Sequence, residues 1–209
     1  KTIYTAHGFH FYDGAPKTVE IKAPATAGNV TVNYYDESGN LVANPTTVGT
    51  YIIRYNVTDN EGNVADEVIR TVKVVDRKAP VFESIDKNVK SMEAGDEYQK
   101  VAYTVSDNYD SAEDITVTVS EINSSILGIQ TVTYTATDKS GNSTSVEIRV
   151  RVVDTTAPTI SLKNPADATQ SFTVGGTFVA PEFNVSDNSS SAEDITIDMN
   201  GIIDESVPG

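Results

Sequence analysis

Alternation of apolar and polar positions is the clearest regularity along the chain. Over residues 131–137, Val132, Tyr134 and Ala136 occupy every second position, with Thr131, Thr133 and Thr135 between them. Side chains of an extended strand point to opposite faces in turn, so this pattern predicts one face on a core and one in water. Threonine is β-branched, which favours extended backbone even on the wet face. Further on, Val146, Ile148, Val150 and Val152 alternate with Glu147, Arg149 and Arg151. The two segments read as a hairpin closed by Asp138-Lys139-Ser140-Gly141-Asn142. The Asp can accept from nearby backbone N–H groups, and the Gly can take the positive φ such a turn requires. The same Asp-x-x-Gly-Asn signature stands at Asp36 to Asn40 and Asp59 to Asn63. No stretch sustains apolar spacing at three and four residues, so the pattern predicts an all-β chain.

The alternation recurs with a period near 80 residues. Gly49, Ile53, Tyr55, Val57, Asp59, Gly62 and Asn63 fall on Gly128, Val132, Tyr134, Ala136, Asp138, Gly141 and Asn142. Each closing strand ends at an Asp, Asp76 or Asp154, followed by two residues and an Ala-Pro pair, Ala79-Pro80 or Ala157-Pro158. A second block links later copies: residues 105–117 and 185–197 are identical at ten of thirteen positions. These repeats predict three domains, 1–76, 79–154 and 157–209, the last without its final two strands. In the first copy the closing strand needs one more residue near Arg70 or Thr71 to bring its apolar positions into register, which predicts a β-bulge there. The segment Gly49-Thr50-Tyr51-Ile52-Ile53 has the form of a tyrosine corner, but Gln130 stands where the second copy would carry the Tyr, so the corner is not expected to be shared.

Short alternating strands separated by turns specify a sandwich or a barrel, and about eighty residues per copy fits seven short strands. The second and third copies resemble the bacterial immunoglobulin-like domain of Gram-positive surface proteins and some pesticidal crystal proteins. The resemblance rests on the opening Ala-Pro, a Ser-Asp-Asn followed by Asp-Ile-Thr, and the Thr-Tyr-Thr-Ala-Thr-Asp-x-Ser-Gly-Asn strand and turn. The first copy resembles a related bacterial type through Phe11-Tyr12-Asp13-Gly14-Ala15-Pro16-Lys17-Thr18-Val19 and the hairpin at Asn33-Tyr34-Tyr35-Asp36. The expected fold is thus all-β, with tandem immunoglobulin-like antiparallel β-sandwiches in a linear rod. The two-residue linkers Arg77-Lys78 and Thr155-Thr156 run into proline, which restricts swing between neighbours.

A formal charge of −15 excludes nucleic acid as a partner, because phosphate binding needs a surplus of Lys and Arg. No stretch reads as membrane-inserting. The chain has no Cys, which excludes disulfide staples. His7 and His10 are its only imidazoles, too few to build a metal site or a repeat-encoded catalytic triad, and no Ser or Thr stands out as a nucleophile. No enzymatic activity is expected.

Acidic loops are the remaining candidate chemistry. Calcium takes six to eight oxygen ligands, with carboxylates and backbone carbonyls of loops preferred. Asp107, Asn108, Asp110, Glu113 and Asp114 lie within eight residues, and Asp187, Asn188, Glu193 and Asp194 repeat the pattern. Asp76 and Asp154 stand at the junctions, where cadherin-like modules place ions that stiffen the joint. These residues are the candidate Ca²⁺ ligands. Against them, Ser190 replaces Asp110 in the later copy, and Asp-Asn-rich turns are common without metal.

The function expected is a non-enzymatic stalk, adhesin or array segment at the bacterial cell surface, with further domains of the same chain or neighbouring subunits as partners. Alternatives are a module binding a host or cell-wall glycan or protein, and an Ig-like component of a phage virion. Tyr4, Phe9, Phe11, Tyr12, Tyr34, Tyr35 and Tyr51 concentrate aromatic rings in the first copy, where they can stack on sugars or fill the core.

Overall fold

The alternating segments form strands, and the fold is all-β with several sheets. The computed structural model describes residues 9–18, 28–171, 173–198 and 200–201. Among these, helical structure is limited to two short 3-10 turns, Ala112–Asp114 and Pro165–Ala168. By its contacts the chain divides into two compact units. One comprises Lys1–Asp86, Ala102–Thr118 and Tyr134–Val146; the other comprises Lys87–Val101, Val119–Thr133 and Glu147–Gly209.

The first unit contains a five-stranded sheet in the order β1-β5-β4-β2-β3. Its strands are β1 (Phe9–Phe11), β2 (Asn29–Tyr35), β3 (Leu41–Val42), β4 (Gly49–Thr58) and β5 (Val68–Val75). Only the edge pair β1 and β5 runs parallel. The inward positions of β4 and β5 are the ones alternation selects. Tyr34, Ile53, Tyr55 and Val72 form a buried cluster, with Val32 and Val42 against it. Each such large apolar side chain stabilises the fold by about 1.5–3 kcal/mol on burial. The aromatic rings of the first copy divide: Tyr34, Tyr51 and Tyr55 are core, while Phe11 is exposed. Tyr4 lies outside the described residues.

The bulge expected near Arg70 or Thr71 is absent. The β4–β5 ladder runs without interruption from Gly49 opposite Val74 to Tyr55 opposite Val68. The strand keeps its register and gives up burial instead: Val68 and Ile69 remain 49% and 55% exposed, and half-buried Arg70 takes the inward position. A bulge does occur in β6 (Val81–Ile85), between Phe82 and Ser84, where it pairs with β8 (Tyr103–Ser106). Tyr103 meets Phe82 and the fully buried Tyr134 edge to face, at 5.9 and 6.1 Å, and so ties the β6–β8 ribbon to the strand carrying Tyr134.

A second sheet has the order β7-β11-β10-β9, from β7 (Lys90–Glu93), β9 (Thr116–Val119), β10 (Gly128–Thr137) and β11 (Ser143–Val153). Val132, Tyr134, Ala136, Ile148, Val150 and Val152 are buried, as their alternation predicts. Within the second unit β7 runs parallel to β11, with Glu93 opposite Val153. There also β12 (Thr159–Leu162) and β13 (Phe183–Ser186) form an antiparallel ribbon.

The three Asp-x-x-Gly-Asn turns are built alike. In each, both Asp oxygens accept from the Asn, one from its backbone N–H and one from its side-chain amide, at 2.7–2.9 Å. The glycine of each is left-handed, at φ 83° for Gly39, 89° for Gly62 and 88° for Gly141. The tyrosine corner is present, with the Tyr51 hydroxyl donating to the Thr47 carbonyl at 2.9 Å. The Gln130 position proves to be its counterpart, because Gln130 Nε2 donates to the Ile126 carbonyl at 2.8 Å, also four residues upstream. The tyrosine is not shared between the copies, but the bond it makes is kept, because an amide replaces the phenol.

Candidate metal centre

Four aspartates converge in the first unit: Asp76, Asp107, Asp110 and Asp138. Local backbone places each of them. Asp76 follows β5, and its Oδ1 accepts from Lys78 N and Asn108 Nδ2, both at 3.1 Å. Asp107 opens the loop after β8, where its Oδ2 accepts from the N–H groups of Tyr109 at 2.8 Å and Asp110 at 3.2 Å. This self-bonded loop sets the direction of Asp110, whose Oδ2 accepts from Lys139 N at 3.1 Å. Asp138 is the first residue of the turn between β10 and β11 and is oriented by Asn142 at 2.7 and 2.8 Å.

One carboxylate oxygen from each aspartate lies within 4.8 Å of the others. Asp76, Asp110 and Asp138 are only 6%, 9% and 6% exposed. Three buried oxygens at this place have no hydrogen-bond partner: Asp76 Oδ2, Asp107 Oδ1 and Asn108 Oδ1. No Lys or Arg is ion-paired with any of the four aspartates among the described residues; the nearby Lys139 ammonium sits on Asp114 Oδ1 at 2.7 Å. That contact raises the Lys139 pKa, and with the Ser111 hydroxyl it lowers that of Asp114. At an effective dielectric constant of about 20, two like charges about 5 Å apart repel by about 3 kcal/mol. Four carboxylates at this spacing thus call for a counter-charge. A divalent cation supplies it, and an oxygen-only donor set with unused lone pairs fits a hard ion of the calcium type.

The other sequence candidates fall elsewhere. Glu113 is exposed and outside the cluster. Asp187 repeats the loop of Asp107, accepting from Ser189 N at 3.0 Å and Ser190 N at 2.7 Å, which lowers its pKa. Asp154 and Asp187 are half-buried, each with one unpartnered oxygen, and Asp194 accepts from Ser191 Oγ at 2.6 Å. Glu193 is exposed, and Asn188 donates to Glu93 Oε1 and the Ala94 carbonyl at 3.2 and 2.9 Å. His10 is half-buried on edge strand β1, and His7 lies outside the described residues.

Asp138 is the residue that sequence reasoning missed. Its turn signature explains it fully as a local device, identical to those at Asp36 and Asp59. What separates it is burial: Asp36 is half-buried and Asp59 is exposed.

Comparison with known proteins bears on the segment that carries this cluster. Residues 75–152 match the HYR domain. All four aspartates fall inside the HYR-matching segment. Hyalin from Strongylocentrotus purpuratus is 30% identical over 125 residues, which is 56% of this chain and 10% of hyalin. The chain therefore spans about a tenth of that relative. Among solved structures, human CDH23 EC21-23 is similar over 91% of this chain and 81% of its own, at 15% identity and a TM-score of 0.32. The fibronectin(III)-like modules of Clostridium thermocellum CbhA are similar over 73% of this chain and 95% of theirs, at 16% identity and a TM-score of 0.32. The HYR domain is extracellular and typically non-catalytic. Among the described residues no helix is long and apolar enough to cross a membrane.

Proposed function

We propose that this chain is a non-catalytic segment of an extracellular adhesion or structural protein, and that calcium bound at the aspartate cluster holds its backbone. The observation that carries this reading is the burial of three carboxylates beside a fourth, with the Asp76 Oδ2 atom unpartnered. Extracellular calcium modules bind at about 10⁻⁴–10⁻³ M, an affinity suited to permanent occupancy in a calcium-rich exterior. The HYR match over 75–152 and the tandem repeats in sequence support the same role. The finer reading, a spacer on a bacterial surface with domains at 1–76, 79–154 and 157–209, is supported by the resemblance of the repeats and by the absence of Cys.

The test uses beads coated with the chain and small-angle scattering of the free chain, each in calcium and in chelator. Aggregation of beads in calcium alone supports adhesion; an extended particle that loosens in chelator supports a spacer. A compact particle with no response to calcium in either measurement sinks the proposal.

One observation favours a second reading, a glycan-binding adhesin. A cavity of about 520 Å³ in the first unit adjoins the aspartate cluster at Asp76 and Asn108, and its lining includes Phe11, Tyr12, Asp13 and Arg77. Aromatic faces beside hydrogen-bonding and charged groups suit a sugar, although the Arg77 guanidinium already lies over the Phe11 ring at 4.9 Å. A glycan array without hits removes this reading and leaves the first intact.

A further inference from the structure

The repeat offers two homologous places for an ion, and the structure builds them differently. We infer that the chain takes one calcium ion, at Asp76, Asp107, Asp110 and Asp138, and that the corresponding place one repeat later is held without an ion by the Glu93 carboxylate. The inference rests on the function proposed above and narrows it to one of two positions.

The correspondence is fixed by sequence and register. Asp76, Asp107, Asn108 and Asp110 align with Asp154, Asp187, Asn188 and Ser190, and Arg77-Lys78 with Thr155-Thr156. On the parallel edge strands, Phe11 stands opposite Val75 just as Glu93 stands opposite Val153. At the first place the edge strand offers a phenyl ring, and Asn108 turns its amide to Asp76 at 3.1 Å. Among the described residues the carboxylates there have backbone N–H groups and amides as hydrogen-bond partners, and Asp76, more than nine-tenths buried, keeps an unused oxygen. An ion is the group that completes it.

At the second place a carboxylate stands where Phe11 was, and its neighbours are donors. Glu93 Oε1 accepts from Thr155 N at 2.6 Å, Thr156 N at 3.0 Å and Thr156 Oγ1 at 3.0 Å, while Oε2 accepts from Thr155 Oγ1 at 2.8 Å. Asn188 Nδ2 adds a bond to Glu93 at 3.2 Å instead of bonding Asp154. One side chain thereby fastens residues 155–156 and the 187–190 loop to the end of β7, the same segments that an ion would join. Serine at 190 removes a carboxylate from the repeated loop, and Asp154 and Asp187, each with one unpartnered oxygen, are half-buried where Asp76 is buried.

The experiment titrates the chain with Ca²⁺ by calorimetry and with Tb³⁺ by tyrosine-sensitised luminescence, since the chain has no Trp and Tyr109 sits in the ligand loop. The expected result is one ion per chain, an affinity loss of about 100-fold or more in Asp110→Asn, and less than twofold change in Asp187→Asn. Asp107→Asn serves as the second variant should Asp110→Asn fail to fold, and it is expected to lose affinity likewise. Glu93→Ala leaves the titration unchanged but speeds amide exchange at Thr155 and Thr156 by about tenfold, with or without calcium. Two ions per chain, one of them lost in Asp187→Asn, overturns the inference while the proposed function stands. No ion in the unaltered chain overturns both.

Discussion

At the corner before β4 and β10, two side chains of different chemistry close the same loop. The Tyr51 hydroxyl donates to the Thr47 carbonyl and shares a 2.7 Å hydrogen bond with Thr47 Oγ1. Gln130 donates to the carbonyls of Asn123 and Ile126 at 2.7 and 2.8 Å and accepts from Asn123 N at 3.1 Å. Removing only the hydroxyl, in Tyr51→Phe, is expected to lower stability by about 1 kcal/mol; Gln130→Met, which strands backbone groups at three bonds, by about 1–3 kcal/mol. Urea denaturation at unchanged m-value checks both, and a neutral Gln130→Met would show that the amide is incidental. The Tyr at this corner was legible because its residue type is diagnostic. The Gln was not, because an amide has no fixed association with corners and its role appears only when its bonds are traced. A related backbone test lies at Gly141. Nothing lies within 4 Å of a Cβ placed there, so an Ala meets no clash and suffers only from φ 88°. Gly141→Ala is expected to cost about 1–2 kcal/mol and to weaken calcium binding, because the same turn aims Asp138.

The strands illustrate which patterns a sequence displays. β10 and β11 are long, alternate cleanly and bury their predicted faces, so burial and turn chemistry agree with local propensity. β7 is short, and its four residues Lys90 to Glu93 carry no alternation; it exists because β11 offers a parallel edge. The bulge forecast for β5 failed for the opposite reason: the apolar pattern shifts there, but ladder hydrogen bonds outweigh the burial of Val68 and Ile69. β7 ends in the Glu93 clasp, whose pKa falls to about 2, first because of the Thr155 backbone N–H, then the Thr155 hydroxyl, Thr156 and Asn188. A carboxylate with a folded pKa below its unfolded value of about 4.3 adds stability that is complete above that value and disappears as pH falls through the folded one. The Thr155 amide resonance is therefore expected to titrate with a midpoint near 2. A midpoint near 4 would mean that the clasp does not form in solution.

For the whole molecule, repeat period and all-β class were legible because alternation and turn residues are local. The aspartate cluster was half legible. Asp76 stood out as an acid at a repeat junction, and Asp107 and Asp110 as acids crowded in one loop, but Asp138 joins them only through folding, from a turn with its own local explanation. This dispersal has a consequence for stability. The ion proposed for the end of β5, the loop after β8 and the turn after β10 would bind the folded chain alone and so stabilise it by linkage. With free calcium about tenfold above the dissociation constant, the gain is about 1.4 kcal/mol, and for a chain of this size the melting temperature should rise by roughly 3–6 °C. Local opening should respond in the same proportion. Arg77 and Lys78 are exposed trypsin sites directly after Asp76, and the Lys78 N–H is bonded to that aspartate. Chelation is expected to speed cleavage there about tenfold, as read by mass spectrometry of the fragments, while magnesium at equal concentration protects less because it resists full dehydration by an all-protein site. Equal cleavage rates in calcium and chelator would show that the backbone at this place holds without an ion.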